Sequence, residues 1–140
     1  MIVLDTNVLS ELMRPTPTPR VAGWLAKQVA GEIFTTTITE AEIFFGIELL
    51  SKGKRREQLR AAAEAMFSED LADRVLTFDS AAARAFSNIA ARRRSGGKPI
   101  SHADAQIAAI AQVRGARLAT RNIVDFADCG IEVTDPWAED

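Results

Sequence analysis

Acidic residues follow or begin regular segments at four points of the chain. Asp5 comes directly after an apolar run at residues 2–4, and Asp125 follows the strand-like residues 117–120. Glu42 and Asp104 lie near the starts of segments with helical patterns. In an open parallel sheet, the residues at the carboxyl ends of the strands share one edge, which is where ligands bind. We therefore expect these four acids to converge.

The helical phase of Glu42 predicts that its side chain points inward. At about 100° per residue, Glu42 shares a stripe with Phe45 and Leu49, almost opposite Glu40 and Glu48. Burying an ionised carboxylate costs several kcal/mol, roughly, unless it finds a partner. The pattern thus favours a site in which Glu42 is compensated.

Asp104 has the same character. Its neighbours three, four and seven positions later are Ile107, Ala108 and Ala111, which form the most apolar face of their helix. The sequence predicts that this carboxylate also faces the interior and needs a partner there.

Helix capping is the alternative explanation for several of these residues. Thr39 with Glu42, and Ser101 with Asp104, both match the spacing of a capping box. Asp79, which precedes an Ala-rich helix, is predicted to be an ordinary N-cap outside the site. Capping explains each acid singly, whereas convergence on one sheet edge favours a common site.

Converging carboxylates require a counter-charge. Two of them about 5 Å apart repel by roughly 3 kcal/mol at an effective dielectric of about 20. The chain has one histidine and one cysteine, His102 and Cys129, so no zinc set is present. Oxygen ligands select hard cations, which predicts Mg2+, with Mn2+ as the other candidate. Such a site is suited to phosphodiester hydrolysis, and a nuclease is the function predicted.

Basic residues that could hold a nucleic-acid backbone are dispersed along the chain. The candidates for RNA contact are Arg14, Lys98 and Arg121, with basic runs at residues 52–56 and 92–94. The formal net charge of −2 excludes the strongly basic profile of a dedicated nucleic-acid binder. Recognition of RNA is therefore expected to rest on local charges.

Length and composition predict one globular domain over residues 1–140. Of the 140 residues 47% are hydrophobic, which suffices for one core. No apolar run reaches the roughly 18 residues of a membrane span, and residues 1–4 do not resemble an export signal. The single cysteine is typical of a reducing compartment, so we expect the protein in the cytoplasm.

Short strand-like runs alternate with helical ones. This order predicts an α/β fold, a three-layer α/β/α sandwich with a mostly parallel central sheet. The predicted strands are residues 2–4, 32–36, 75–78, 117–120 and 131–134; the predicted helices begin near Thr6 and span 21–29, 39–50, a segment reaching about Leu71, 81–94 and 102–113.

Four blocks of the sequence resemble the PIN-domain family and, within it, VapC-like toxin ribonucleases, including the FitB-like branch. The blocks are residues 2–9, with Asp5 after a strand; 39–46, a Thr-x-x-Glu-x-x-x-Gly segment; 100–109, around Asp104; and 118–126, ending in Asp125 and Phe126. The resemblance extends over nearly the whole chain, with the four blocks in the expected order, which is far more specific than any one motif.

The resemblance implies a role for each site residue. Asp5 and Asp104 match the principal metal ligands, and Glu42 matches a ligand through water or a base that orients the attacking hydroxide. Many PIN domains have an aspartate where this chain has Asn122, so the fourth position is shared between Asn122 and Asp125. Thr6 and Thr120 are expected to support the site through their hydroxyls.

The resemblance also implies partners. VapC-like proteins are usually homodimers, and a VapB-like antitoxin that binds DNA holds them inactive, so contact with DNA would be indirect. Trp24, Phe44 and Phe45 are candidates for the antitoxin or dimer surface, although aromatic residues at helical spacing usually belong to a core.

Other functions are weighed against the nuclease. A receiver-like protein or an Asp-x-Asp phosphatase also places Mg2+ on a parallel sheet, but the run from Asp5 to Asn7 lacks the second aspartate. Residues 95–99 lack the spacing of a phosphate-binding loop. A PIN-like module that dimerises and binds an antitoxin–DNA complex without effective catalysis remains an alternative.

Overall fold

A five-stranded sheet in which every paired strand is parallel forms the centre of the molecule. The computed structural model describes residues 1–138; Glu139 and Asp140, the last residues of the predicted domain, lie outside the described part. The strands run in the order β3-β2-β1-β4-β5, where β1 is Ile2–Leu4, β2 Ile33–Thr36, β3 Val75–Leu76, β4 Arg117–Ala119 and β5 Val133–Thr134.

Helices connect the strands and cover the sheet. Shorter turns of helix lie at Ala30–Glu32, Met66–Asp70 and Ile123–Phe126. Over residues 1–138, no helix combines the length and apolar character needed to cross a membrane. The α-helices are α1 (Thr6–Leu12), α2 (Pro19–Ala26), α3 (Thr37–Glu48), α4 (Lys54–Ala65), α5 (Ser80–Ser95) and α6 (His102–Val113).

Strand β1 is buried on both faces, as expected for the centre of a parallel sheet. Because side chains alternate along a strand, Val3 packs into one apolar cluster with Ile89 and Ile107, from α5 and α6. Ile2 and Leu4 join the opposite cluster, which α1 to α4 supply. The predicted three-layer sandwich is confirmed.

The elements differ from the sequence-based expectation mainly at their ends. Helix α2 begins at Pro19 and ends at Ala26, where residues 21–29 were expected, because proline suits the first turn of a helix. Strand β1 has its predicted bounds, and the other four strands are shorter than predicted, β3 and β5 by two residues each. The expected basic turn at residues 51–56 is partly helical, since α4 starts at Lys54.

Small residues let α6 lie close to its neighbours, and we expect Ala108→Leu to lower the free energy of unfolding by about 1–3 kcal/mol through overpacking. Ala108 is fully buried in the cluster with Val3 and Leu118. Urea denaturation measures the loss, with Ala61→Leu on an exposed position of α4 as the control. Equal stabilities of the two variants would show that the core around Ala108 accommodates a larger side chain.

Candidate metal centre

Asp5 lies where the direction of strand order reverses, between β1 and β4. It is the N-cap of α1, and the Thr6 amide N donates to its Oδ1 at 2.8 Å. The Thr120 hydroxyl, directly after β4, donates to its Oδ2 at 2.7 Å. Only 4% of Asp5 is exposed. The crevice at such a switch point is the usual ligand site of an open parallel sheet.

The surroundings of Asp5 oppose its negative charge. Burial raises its pKa from 3.8 to about 6, against the lowering effect of the Thr120 and Thr6 hydrogen bonds. The two charged side chains with the largest effect on this pKa, Asp104 and Glu42, are acidic and raise it further. Asp5, Asp104 and Glu42 therefore form one electrostatically coupled group.

Glu42 belongs to this group without being buried. It is exposed on α3, and the Thr6 hydroxyl donates to its Oε1 at 2.7 Å. A second hydrogen bond, of 3.1 Å, joins the hydroxyls of Thr6 and Thr39. The prediction that Glu42 points inward is wrong, whereas its placement near Asp5 follows from these contacts.

The phase of α3 explains the error. Phe45 and Leu49, predicted to share the inner stripe, are 65% and 71% exposed. The buried stripe is Thr39, Ile43 and Ile47. Because α3 carries apolar residues on several sides, hydrophobicity alone could not select the stripe that includes a threonine. Thr36 is the N-cap in place of Thr39 and accepts from the Thr39 amide N at 3.1 Å.

Asp104 sits at the start of α6 and is half-buried. Ser101 caps the helix, accepting from the Asp104 amide N at 3.2 Å. Burial raises the pKa of Asp104, and the charges of Asp125 and Glu42 act in the same direction against the Ser101 hydrogen bond. Ser101 therefore caps the helix while Asp104 belongs to the acidic group. Ile107 is buried, as predicted.

Asp125 and Asn122 come from the turn that follows β4. The Asn122 amide N donates to Thr120 Oγ1 at 3.1 Å. This bond connects the turn to the same hydroxyl that donates to Asp5. Asp125 is exposed and close enough to Asp104 to raise its pKa. This coupling favours Asp125 as the fourth acid.

Arg93 does not belong to the RNA-facing charges predicted from the run at residues 92–94. It is 7% exposed. The guanidinium donates to the carbonyl of Lys98 at 2.7 Å and to those of Asp125 and Ala127 at 2.8 Å each. Its spacing from Ala82 and Ile89 places it on the apolar stripe of α5, a signal that the sequence contained.

The other candidate RNA contacts are exposed. Arg14 pairs with Glu11, with 3.1 Å between Nη1 and Oε2, and lines a groove of about 850 Å3 that also includes Thr6, Glu42 and Arg55. Lys98 lies in the loop before α6. Arg121 holds its guanidinium 5.0 Å from the centre of the Trp137 ring.

Two further predictions concern residues away from the acids. Asp79 Oδ1 accepts from the Ala82 amide N at 2.9 Å, so the N-cap prediction is confirmed. Of the three aromatic residues considered for a partner surface, Trp24 and Phe44 are half-buried and pack on the α1–α4 cluster. Phe45 alone of these three is exposed.

The donor chemistry fits a hard cation. Across residues 1–138, no three His, Cys, Asp or Glu side chains are arranged to hold one metal by themselves. Mg2+ usually takes one or two protein carboxylates and completes its shell with water and substrate phosphate. Asp5 and Asp104 meet that requirement. Burial and the neighbouring acids raise the pKa of both carboxyls, and the charge of Arg93, which lowers the pKa of Asp104, does not offset them.

We expect Thr120→Val to lower the free energy of unfolding at pH 8 by about 1–3 kcal/mol, and to raise the Asp5 pKa above 6, because Asp5 Oδ2 loses its donor. The side chain of Asn7 and the amide of Asn122 lose their acceptor as well. Denaturation in urea measures the change, and Thr120→Ser, which keeps the hydroxyl, serves as the control. Equal stability of the Val and Ser variants would contradict this role of the hydroxyl.

Comparisons with known proteins agree with this geometry. A family model described as PIN domain matches residues 2–130. The VapC ribonuclease Y4jK of Sinorhizobium fredii is 39% identical over 98% of this chain and 98% of its own length, and Toxin FitB of Neisseria gonorrhoeae is 36% identical over 98% and 99%. A solved structure of FitAB bound to an IR36 DNA fragment superimposes with a TM-score of 0.93 at 36% identity, covering 100% of this chain and 98% of that one.

Proposed function

Because the chain belongs to the PIN domain family, we propose that it is a Mg2+-dependent endoribonuclease and the toxin of a toxin–antitoxin pair, acting in the cytoplasm. The observation that carries the proposal is the buried Asp5 at the switch point of the sheet, coupled to Asp104 and Glu42. The ribonuclease and toxin names of the two relatives support it.

Each acid has a separate part in the proposed reaction. Asp5, held by Thr6 and Thr120, and Asp104, at the start of α6, would hold the cation. Glu42, fixed by the Thr6 hydroxyl, binds a water molecule and orients it toward the phosphate. Asp125 adds negative charge beside Asp104, and Asn122 supports the turn.

Mg2+ bound at this site would neutralise charge that develops on the scissile phosphate. The protein supplies fixed oxygen ligands in a crevice, so that little reorganisation is needed when the phosphate arrives. Mn2+ prefers similar ligands and is expected to substitute.

The RNA strand is proposed to reach the acids along the groove that includes Thr6 and Glu42. Arg14 and Arg55 lie on this groove and can pair with backbone phosphates. Lys98 and Arg121 are proposed as further, weaker phosphate contacts. Local cations of this kind offset the repulsion between RNA and an acidic site.

The partner proposed is a VapB-like antitoxin that presents a cationic side chain to the same acidic pocket. A site with uncompensated carboxylates binds a cationic side chain for the reason that it binds a metal ion. The likeness to a structure of FitAB bound to an IR36 DNA fragment supports an assembly that includes DNA. Contact of this chain with that DNA is proposed to be indirect, through the antitoxin. Homodimerisation is proposed as part of that assembly.

The test is cleavage of a panel of RNAs, transfer RNAs included, by the purified chain free of antitoxin. We expect site-specific cuts in Mg2+ or Mn2+ and none after chelation. A mock purification from cells that lack this chain reports contaminating nucleases, and a protein carrying Asp5→Asn and Asp104→Asn together tests the site. Cleavage that this double variant retains would contradict the proposed site.

Failure to cut any RNA would favour the alternative of a binding module. That outcome favours the binding module most strongly when the same preparation binds Mg2+ in calorimetry and forms a tight complex with its antitoxin, because the protein is then shown to be correctly folded.

A further inference from the structure

Arg93 connects two segments that each carry one of the acids. On one side, its Nε donates to the carbonyl of Lys98, in the loop that leads to Ser101 and Asp104. On the other side, its Nη1 donates to the carbonyls of Asp125 and Ala127. Both segments lie outside the strands, so the register of the sheet does not fix their separation.

The contacts of Arg93 are those of a buried clamp. Its side chain emerges from the last turn of α5, is 7% exposed, and also lies 3.6 Å from the sulfur of buried Cys129. The planar guanidinium presents several N–H donors in fixed directions, so one side chain can hold both segments at once. The lysine ammonium has no such fork.

We propose that Arg93 is a positioning residue that sets Asp125 against Asp104 in the metal centre. It holds the Asp125 backbone through the carbonyl and leaves that carboxylate free to act beside Asp104. Arg93 touches neither cation nor RNA in this role. The inference rests on the proposed metal site but not on cleavage of RNA.

The test is a double-mutant cycle on Mg2+ binding, measured by calorimetry at pH 8. We expect Arg93→Lys to weaken Mg2+ binding roughly 10- to 100-fold, as changes just outside the ligands of a metal commonly do. In an Asp125→Asn background the same change should weaken binding less than about twofold, since the residue positioned is already lost. Arg92→Lys is the matched control, because Arg92 also donates to a loop carbonyl, that of Asp128, at 2.8 Å.

A purely structural Arg93 would give the same loss with and without Asp125, and that result overturns the proposal. So does an effect of Arg93→Lys no larger than that of Arg92→Lys, or a wild type that binds no Mg2+. If Arg93→Lys does not fold, Arg93→Gln replaces it in the double-mutant cycle. If neither variant folds at 10 °C, the role of Arg93 is structural and the proposal is wrong. A wild type that binds Mg2+ without cutting RNA contradicts only the ribonuclease proposal.

Discussion

Asp5→Asn is expected to raise the melting temperature in the absence of metal at pH 8 while lowering RNA cleavage roughly 100- to 1,000-fold. Both effects have one cause, because the charge that would bind the cation is the charge that the metal-free fold disfavours. Thermal unfolding with and without Mg2+, beside cleavage under single-turnover conditions, measures the two.

The direction of the stability change follows from the Asp5 pKa. Folding raises this pKa from 3.8 to about 6, so the folded state binds the proton more tightly than the unfolded state. Stability associated with Asp5 is therefore full below about pH 4, falls as the pH rises to about 6, and is constant above that. At roughly 1.4 kcal/mol per pKa unit, the loss at pH 8 is about 3 kcal/mol.

Asparagine recovers only part of that energy. Its Oδ1 can accept from the Thr6 amide, but its Nδ2 would face Thr120 Oγ1, which already accepts from Asn7 and Asn122. We expect a gain of about 1–2 kcal/mol, or roughly 3–6 °C. Most of it should vanish at pH 4, and Mg2+ should stabilise only the wild type. If Asp5→Asn is no more stable than wild type at pH 8, the buried charge of Asp5 does not destabilise the metal-free protein and the prediction is wrong.

Asp104→Asn is expected to lower cleavage by a similar factor of roughly 100 to 1,000, with the free energy of unfolding within about 1 kcal/mol of wild type. The stability effect is small because two contributions oppose each other. The variant loses an acid in the first turn of α6, whereas it relieves the cost of burying a charge and the repulsion from Asp125 and Glu42.

Asp79→Asn is the matched control for Asp104→Asn. It makes the same chemical change at another helix start, where asparagine caps as well as aspartate. We expect its cleavage rate to stay within about twofold of wild type. A similar loss in both variants would mean that helix starts, and not the acidic group, limit activity.

The sequence predicted the architecture because its strongest signals coincide with its most constrained residues. An apolar run such as residues 2–4 fits only the centre of a parallel sheet, and Asp5 directly after it is placed by that strand. Asp104 is half-buried for a related reason, since it lies at the start of a helix in which Ala105 and residues 107–111 are all buried.

The predictions failed where tertiary contacts decide between similar local patterns. Helix α3 offers two apolar stripes. The stripe with Ile43 and Ile47 is the one that packs inward, and this orientation brings Thr39 and Glu42 to the Thr6 hydroxyl. Arg93 was assigned to the surface by its basic neighbours, although its spacing from Ile89 places it on the buried stripe of α5. Two of its partners, the carbonyls of Asp125 and Ala127, lie more than 30 residues away and no local pattern reveals them.

The order of strands in the sheet governs when the proposed nuclease can first act during its own synthesis. β1 is made early, but Asp5 receives its second support only from Thr120, and its amide pairs with the Ala119 carbonyl. At about 5–20 residues per second, translation leaves the site unassembled until the residues around β4 have been added. For the proposed ribonuclease, this order means that the nascent chain would be inactive until most of its residues have been added, and the proposed antitoxin would have that interval in which to be made.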